Sequence, residues 1–98
     1  MKVLIPGHKY QLDMMEGGYL IVQFIQKEEK DGKFVTVHNG TTNEEVLEML
    51  IDRIIFLDRK LPSEENMKAI GQLISALNHL RNRTNERKER GVEGTPKP

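Results

Sequence analysis

Residues 42–63 read TNEEVLEMLIDRIIFLDRKLPS, and this stretch decides how the second half of the chain folds. Its first residues have the T-x-x-E form of a capping box, in which the Thr42 hydroxyl and the Glu45 carboxylate satisfy backbone N–H groups at a helix start. The apolar residues that follow recur at spacings of three and four, which is typical of an amphipathic helix. The helix is predicted to end before Pro62, with Ser63 capping the next helix.

Two adjacent stripes of apolar side chains run along this predicted first helix. One stripe contains Val46, Leu50, Ile54, Leu57 and Leu61, and the other contains Leu47, Ile51 and Ile55. Because each stripe needs a surface to pack against, the pattern indicates two packing partners.

The predicted second helix is longer and ends in a polar segment. Apolar residues recur at helical spacing as far as Leu80, and none follows from Arg81 to Arg90, after which Gly91 offers a stop. At 1.5 Å per residue the second helix exceeds the first by roughly 10 Å. An antiparallel hairpin therefore leaves the polar end of the second helix uncovered.

Upstream of the helices, the pattern is short and strand-like. Gly17-Gly18 and Asp31-Gly32 tolerate the positive φ angles that turns between strands require. The runs rich in β-branched and aromatic residues are 3–5, 19–25 and 34–37. They predict an antiparallel sheet of about three strands.

The predicted fold class is therefore α+β, in a single domain. A small N-terminal antiparallel β-sheet occupies residues 1–40, a long antiparallel two-helix hairpin occupies 41–90, and 91–98 form an extended tail.

The composition narrows the possible functions. The 98 residues carry 15 basic and 15 acidic side chains and no cysteine. The absence of cysteine excludes a disulfide framework, a thiolate metal site and a cysteine nucleophile, and zero net charge argues against a general nucleic-acid coat. A chain of this size buries only about 60–68% of its unfolded surface, so we expect self-association. We expect a soluble intracellular protein, since no apolar run approaches the roughly 20 residues of a membrane span.

Arginines on the predicted polar end form the strongest candidate site. Arg83, Arg87 and Arg90 are spaced four and three apart, which places them within a sector of about 60° on a helix. Guanidinium groups bind phosphate or carboxylate bidentately, so the stripe points to such a ligand. The alternative is a solvated helix end, in which the arginines complement the helix dipole and pair with Glu86 and Glu89.

Two further residues stand out from the helical pattern. Asn66 occupies a position where a capping box would have Glu or Gln, so it either contacts a base or ribose or only starts the helix. Phe56 lies off both apolar stripes and either stacks on a nucleobase or packs against another subunit.

No pattern of a catalytic or metal site is present. His8, His38 and His79 lack metal-ligand spacing, and there is no Gly-rich phosphate loop, nucleophile elbow or paired-carboxylate motif. We therefore predict no enzyme activity, no metal and no cofactor.

Four segments taken together are more specific than any of these patterns alone. They are NGTTNEEVL at 39–47, LIDR at 50–53, RTNER at 83–87 and RGVEGT at 90–95. Together they resemble the helical-hairpin family of phage anti-defence sponges, which includes anti-Thoeris and anti-CBASS proteins. Those proteins bind the nucleotide second messengers of bacterial immune systems without cleaving them. The N-terminal strand region makes the chain most similar to the anti-Thoeris branch.

The resemblance implies a ligand pocket at a subunit interface. In it, Arg83 and Arg87 match the family's phosphate-binding arginine pair. The other ligand-binding residues that the resemblance implies are Phe56 and Asn66 for the base and ribose, Glu86 for a ribose hydroxyl, and Arg90 beside the pair. Lys2, Lys9 and Tyr10 are candidates for N-terminal pocket residues.

The function that the resemblance implies is sequestration of glycocyclic ADP-ribose isomers, with cyclic di- and trinucleotides as further candidate ligands. The expected assembly is a homo-oligomer, either a dimer or a hexamer built as a trimer of dimers, in the cytoplasm of the infected bacterial host. Two alternatives stay open: a small nucleic-acid-binding regulator, and a protein-interaction module that inhibits a host defence protein directly.

Overall fold

The computed structural model describes all 98 residues, as five strands followed by two helices. The strands are β1 (Lys2–Ile5), β2 (Lys9–Asp13), β3 (Tyr19–Gln23), β4 (Gln26–Lys30) and β5 (Lys33–His38), and the helices are α1 (Asn43–Lys60) and α2 (Glu64–Glu89). The chain divides into two compact units. The strand unit contains residues 1–42 and 94–98, and the helical unit contains residues 43–93.

The strand unit holds two antiparallel sheets. One has three strands in the order β1-β2-β3, and the other pairs β4 with β5. Gly17 and Gly18 have φ angles of 96° and 90°, and Asp31 and Gly32 have φ angles of 53° and 77°. Both predicted turns are thus confirmed, as is the α+β class.

The predicted antiparallel sheet of about three strands is present, but its middle strand β2 is not among the predicted runs, and a second sheet pairs β4 with β5. β2 and β4, with the sequences KYQLD and QKEEK, are largely polar strands that the hydrophobic pattern did not reveal. The run predicted at 19–25 ends as a strand at Gln23, and the run at 34–37 pairs with β4 rather than with β3. These polar segments form strands because neighbouring strands provide partners for their backbone hydrogen bonds. The hydrophobicity of the side chains does not indicate this pairing.

Gly40 lies where the chain leaves the strands. Thr41 and Phe24 form an isolated parallel bridge, with Thr41 N donating to the Gln23 carbonyl at 2.9 Å. A Cβ on Gly40 would lie 2.7 Å from the Ile25 nitrogen and closer still to the Gln23 carbonyl oxygen. Only glycine can occupy this position without moving the backbone.

Local signals set the bounds of both helices as predicted. α1 begins directly after Thr42 and ends before Pro62. Ser63 caps α2, since its side chain accepts a hydrogen bond from the Asn66 N–H at 3.0 Å. α2 ends at Glu89, and Gly91 follows with a φ of 71°.

Replacing Ser63 by alanine is expected to lower the free energy of unfolding by about 1 kcal/mol, because the Asn66 N–H loses its acceptor. Urea unfolding followed by circular dichroism measures the change. Ser75→Ala is the control, since Ser75 is an exposed residue within α2 and caps nothing. An equal loss of stability at both serines would contradict the capping role.

The apolar surface of the chain is poorly covered. Ile70 and Leu77 are the buried hydrophobic residues, and both lie on α2. Between the helices, Arg81 forms an ion pair with Glu48. Large apolar side chains left exposed on α1 and α2 are Met49, Leu50, Phe56, Leu57, Met67 and Ile74, and those on the first sheet include Val3, Leu12, Tyr19, Leu20 and Ile21. Neither helix combines the length and the apolar character that crossing a membrane requires.

Candidate functional site

The basic end of α2 extends beyond the helix that it packs against. α1 has 18 residues and α2 has 26, which correspond to about 27 and 39 Å of helix. Arg83, Arg87 and Arg90 lie on the last turns of α2 and at its C-cap. The structure thus places the predicted arginine stripe at a helix end, but the three side chains differ in their surroundings.

Arg87 is held by the chain that follows the helix. Its Nε donates to Oε2 of Glu93 at 3.2 Å, and its Nη2 donates to the Val92 carbonyl at 3.0 Å. The side chain is only 13% exposed. A guanidinium bonded to these acceptors and with little exposure to solvent has few rotamers open to it, so Arg87 presents its charge in a fixed orientation.

The backbone at this end of the helix explains why those acceptors are present. Gly91 N donates to the Lys88 carbonyl and Val92 N donates to the Arg87 carbonyl, both at 3.0 Å. These two bonds form a Schellman motif, which the positive φ of Gly91 permits. Val92 is therefore bonded to both the backbone and the side chain of Arg87.

Arg83 and Arg90 are more open. Arg83 is exposed and makes no ion pair or hydrogen bond through its side chain. Arg90 Nε lies 2.9 Å from Oε1 of Glu86, an i, i+4 pair in which both side chains are about half exposed or more. Such an exposed pair contributes roughly 0.3–0.5 kcal/mol.

Asn66 and Phe56 have local roles within the helical unit. The Asn66 backbone N–H completes the Ser63 cap, and its Nδ2 is 3.5 Å from the Leu61 carbonyl, at the limit of a hydrogen bond. Phe56 is 52% exposed, and Lys60 Nζ lies 4.6 Å from its ring centroid. Asn66 therefore takes part in the helix start, and Phe56 is an exposed ring that contacts Lys60 one turn further along α1.

The six candidate residues do not converge within one chain. The Glu48–Arg81 pair marks one level of the hairpin. From that level, Phe56 lies eight residues toward the loop between the helices and Arg83 lies two residues in the opposite direction, so at 1.5 Å per residue they are about 15 Å apart along the hairpin. Asn66 and Arg83 lie on the same helix and are about 25 Å apart. Arg83, Glu86, Arg87 and Arg90 gather at one end of α2, so the six residues do not line one pocket within a single chain.

Sequence reasoning did not identify Val92 and Glu93 as partners of Arg87. The signal was present in the RGVEGT segment, where a glycine directly after a helix predicts that the next residues turn back on the last helical turn. The tail, predicted to be extended, does turn, and Phe34 N donates to the Gly94 carbonyl at 2.9 Å.

The N-terminal candidates all lie in the strand unit. Lys2 pairs with Gln11 and Lys9 pairs with Gln23 in the ladder of the first sheet. Tyr10 stacks edge-to-face on Phe24, with ring centroids 5.8 Å apart. The protein contains no group of three His, Asp or Glu side chains that could hold a metal ion.

The chain is similar in sequence to a curated phage protein. The chain is 45% identical over 64 residues to a protein of Bacillus phage SBSphiJ7 named Thoeris anti-defense 1. The match covers 62% of this chain and 45% of the phage protein, so the chain spans less than half the length of this curated relative. No protein-family model matches the chain. The similarity supports the anti-Thoeris part of the resemblance and does not test the anti-CBASS part.

Proposed function

We propose that the chain is a phage anti-defence protein that binds cyclic nucleotide messengers of the bacterial Thoeris system and sequesters them without cleavage. The single observation that carries this proposal is the pairing of exposed Arg83 with anchored Arg87, one helical turn apart, in a chain similar to an anti-Thoeris protein. Glycocyclic ADP-ribose isomers are the proposed ligands, with cyclic di- and trinucleotides as further candidates.

The arginine pair suits a diphosphate. Residues i and i+4 lie on the same helix face about 6 Å apart along the axis, so guanidinium groups from adjacent turns can each contact one phosphate. Arg87 supplies a charge that is already oriented, and Arg83 supplies one that can adapt to the ligand. Glu86 and Arg90, one turn further on, complete a mixed-charge surface that suits ribose hydroxyls beside phosphates.

Sequestration requires affinity rather than reaction chemistry. A nanomolar dissociation constant corresponds to about 12 kcal/mol of binding free energy. Several charge-assisted hydrogen bonds together with stacking on an exposed aromatic ring such as Phe56 can supply this amount. The proposed protein therefore acts in the infected cell by lowering the free messenger concentration and not as an enzyme.

We further propose that the pocket forms between copies of the chain, in a dimer or a trimer of dimers. Leu50 and Leu57 on α1, with Leu61 directly after it, leave an exposed apolar stripe, and Phe56 lies about 15 Å from Arg83 within one chain. A second copy is the simplest occupant that covers the stripe and brings the missing pocket residues to the arginines.

Sedimentation velocity is expected to show a species of at least twice the 11.3 kDa chain mass at micromolar concentration. Leu57→Arg is expected to shift it toward the monomer, because a charge would enter the apolar stripe. Met15→Arg is the control, since Met15 is fully exposed. A monomer at all concentrations would contradict the proposed assembly.

Recovery of intact ligand tests the sponge itself. The protein is mixed with a glycocyclic ADP-ribose isomer and filtered, and the retained fraction is heat-denatured and its nucleotides identified by mass spectrometry. Retention followed by release of the unchanged messenger is the expected result. Release of a cleaved product would contradict sequestration and indicate an enzyme.

One competing function has an observation in its favour. The first sheet exposes Tyr19, Leu20 and Ile21, which is typical of a surface that binds another protein. A module that blocks a host defence protein directly would co-purify with that protein and would be indifferent to loss of the two arginines. A nucleic-acid regulator would instead show steeply salt-dependent DNA binding.

A further inference from the structure

The three arginines at the end of α2 are not equivalent, and the difference lies in the residues that follow the helix. Arg87 is bonded to Val92 twice, as backbone acceptor and as side-chain donor, and to the Glu93 carboxylate through Nε. Arg83 has no comparable support. The Glu93 side chain is 41% exposed, so it reaches Arg87 from the solvent side.

We infer that Glu93 is a positioning residue for Arg87, holding its guanidinium in the orientation that receives a ligand phosphate. This inference rests on the proposed function for the identity of the ligand. The Schellman turn fixes the Val92 carbonyl, and the Glu93 carboxylate then fixes the Nε side of the same guanidinium. Because these acceptors already hold the guanidinium in the folded protein, the long side chain loses its conformational entropy on folding. Ligand binding then does not have to offset that entropy loss.

The negative charge of Glu93 also has an effect that opposes binding, because a carboxylate near a phosphate site repels the ligand. Geometry favours positioning over repulsion. Glu93 bonds the Nε of a guanidinium that is only 13% exposed, so losing this carboxylate removes one of its restraints without adding a donor for the ligand. Arg87 then samples orientations in which it does not face the ligand.

Binding of a synthetic glycocyclic ADP-ribose isomer to Glu93 variants tests the inference, using calorimetry on the full chain. Glu93→Ala is expected to weaken binding about tenfold, the effect of losing one charge-assisted hydrogen bond. Glu93→Gln, whose amide oxygen can still accept from Nε, is expected to restore binding to within about threefold. Glu64→Ala is the matched control, since Glu64 forms only an exposed ion pair with Lys68 on the first turn of α2.

A double-mutant cycle separates positioning from general stability. In an Arg87→Ala background, Glu93→Ala is expected to have no further effect on binding, because the side chain that it positions is gone. A loss that persists in this background, or tighter binding by Glu93→Ala in the otherwise unchanged chain, would overturn the inference.

The Arg87 Nε–Hε signal in a ¹H–¹⁵N spectrum gives a readout that needs no ligand. Assigned by its loss in Arg87→Lys, this signal is expected to exchange slowly with water in the unchanged protein and in Glu93→Gln, and rapidly in Glu93→Ala. Equal exchange in all three would overturn the inference even if the messenger binds. If the unchanged protein fails to bind any messenger, the proposed function fails, while this exchange comparison still decides whether Glu93 orders Arg87.

Discussion

Replacing Arg83 and Arg87 together by alanine is expected to abolish messenger retention. Each arginine contributes charge-assisted hydrogen bonds to phosphate, of about 1.5–3 kcal/mol per bond. Losing both therefore weakens binding by roughly 10²- to 10⁴-fold, which raises a nanomolar dissociation constant to roughly 0.1–10 μM, and a filtration assay at about 10 nM protein reads this as nearly complete loss.

The two single variants are expected to differ. Arg83→Ala removes an exposed side chain with no internal partner, so its melting temperature should be unchanged. Arg87→Ala also removes the bonds to Val92 and Glu93, so it should loosen the residues after the helix as well as lose ligand.

The matched control for the double variant is Arg53→Ala with Lys88→Ala. This pair removes the same charge from exposed positions of α1 and α2 that the proposed site does not use. Retention by this control and loss by the arginine double variant would support a specific site. Equal loss in both would mean that the assay reports net charge, and full retention by the arginine variant would remove these two residues from the site.

Gly40→Ala is expected to give the largest loss of stability of any single methyl addition in the chain. The new Cβ would overlap the backbone of residues 23–25, which cannot move without disturbing the bridge between Phe24 and Thr41. Overpacking against backbone costs about 3 kcal/mol or more. Because the strand unit is small and thinly packed, we expect this loss to unfold much of it, as measured by amide resonances of the strands and by urea unfolding.

Gly71→Ala is the counterpart that isolates the steric effect. Gly71 lies within α2, and a Cβ there meets no atom within 4 Å. Alanine should stabilise the helix by about 0.5–1 kcal/mol, since it loses less backbone entropy than glycine on folding. Destabilisation by both substitutions to a similar extent would contradict the steric account.

The elements that the sequence predicted well are those fixed by local signals. The turn at Asp31-Gly32, the Ser63 cap and the stop at Gly91 each depend on residues within a few positions of one another. β2 and β4 were missed because their side chains are mainly polar. Their strand conformation depends on pairing with neighbouring strands, which no local pattern encodes.

The candidate site likewise has a part that local sequence signals predict and a part that depends on tertiary structure. The helical spacing of Arg83, Arg87 and Arg90 follows from their numbering alone, and the structure places all three at the end of the helix. The separate states of these arginines were not predicted, because a glycine after a helix indicates that the chain turns back but not which side chains it then contacts. The separation of Phe56 from Arg83 likewise follows from how the two helices align, which a one-dimensional pattern does not fix.

The hydrogen bond from Phe34 N to the Gly94 carbonyl has a consequence for synthesis on the ribosome. The strand unit is made from two separate segments, residues 1–42 and 94–98, whereas the helical unit is one continuous segment. The helical hairpin can therefore complete its folding as soon as its last turn has emerged, but the outer edge of β5 gains its partner only after residues 94–98 have also emerged. Until then, a nascent chain carries an open strand edge with exposed apolar side chains, which is a site where another strand can add and start aggregation.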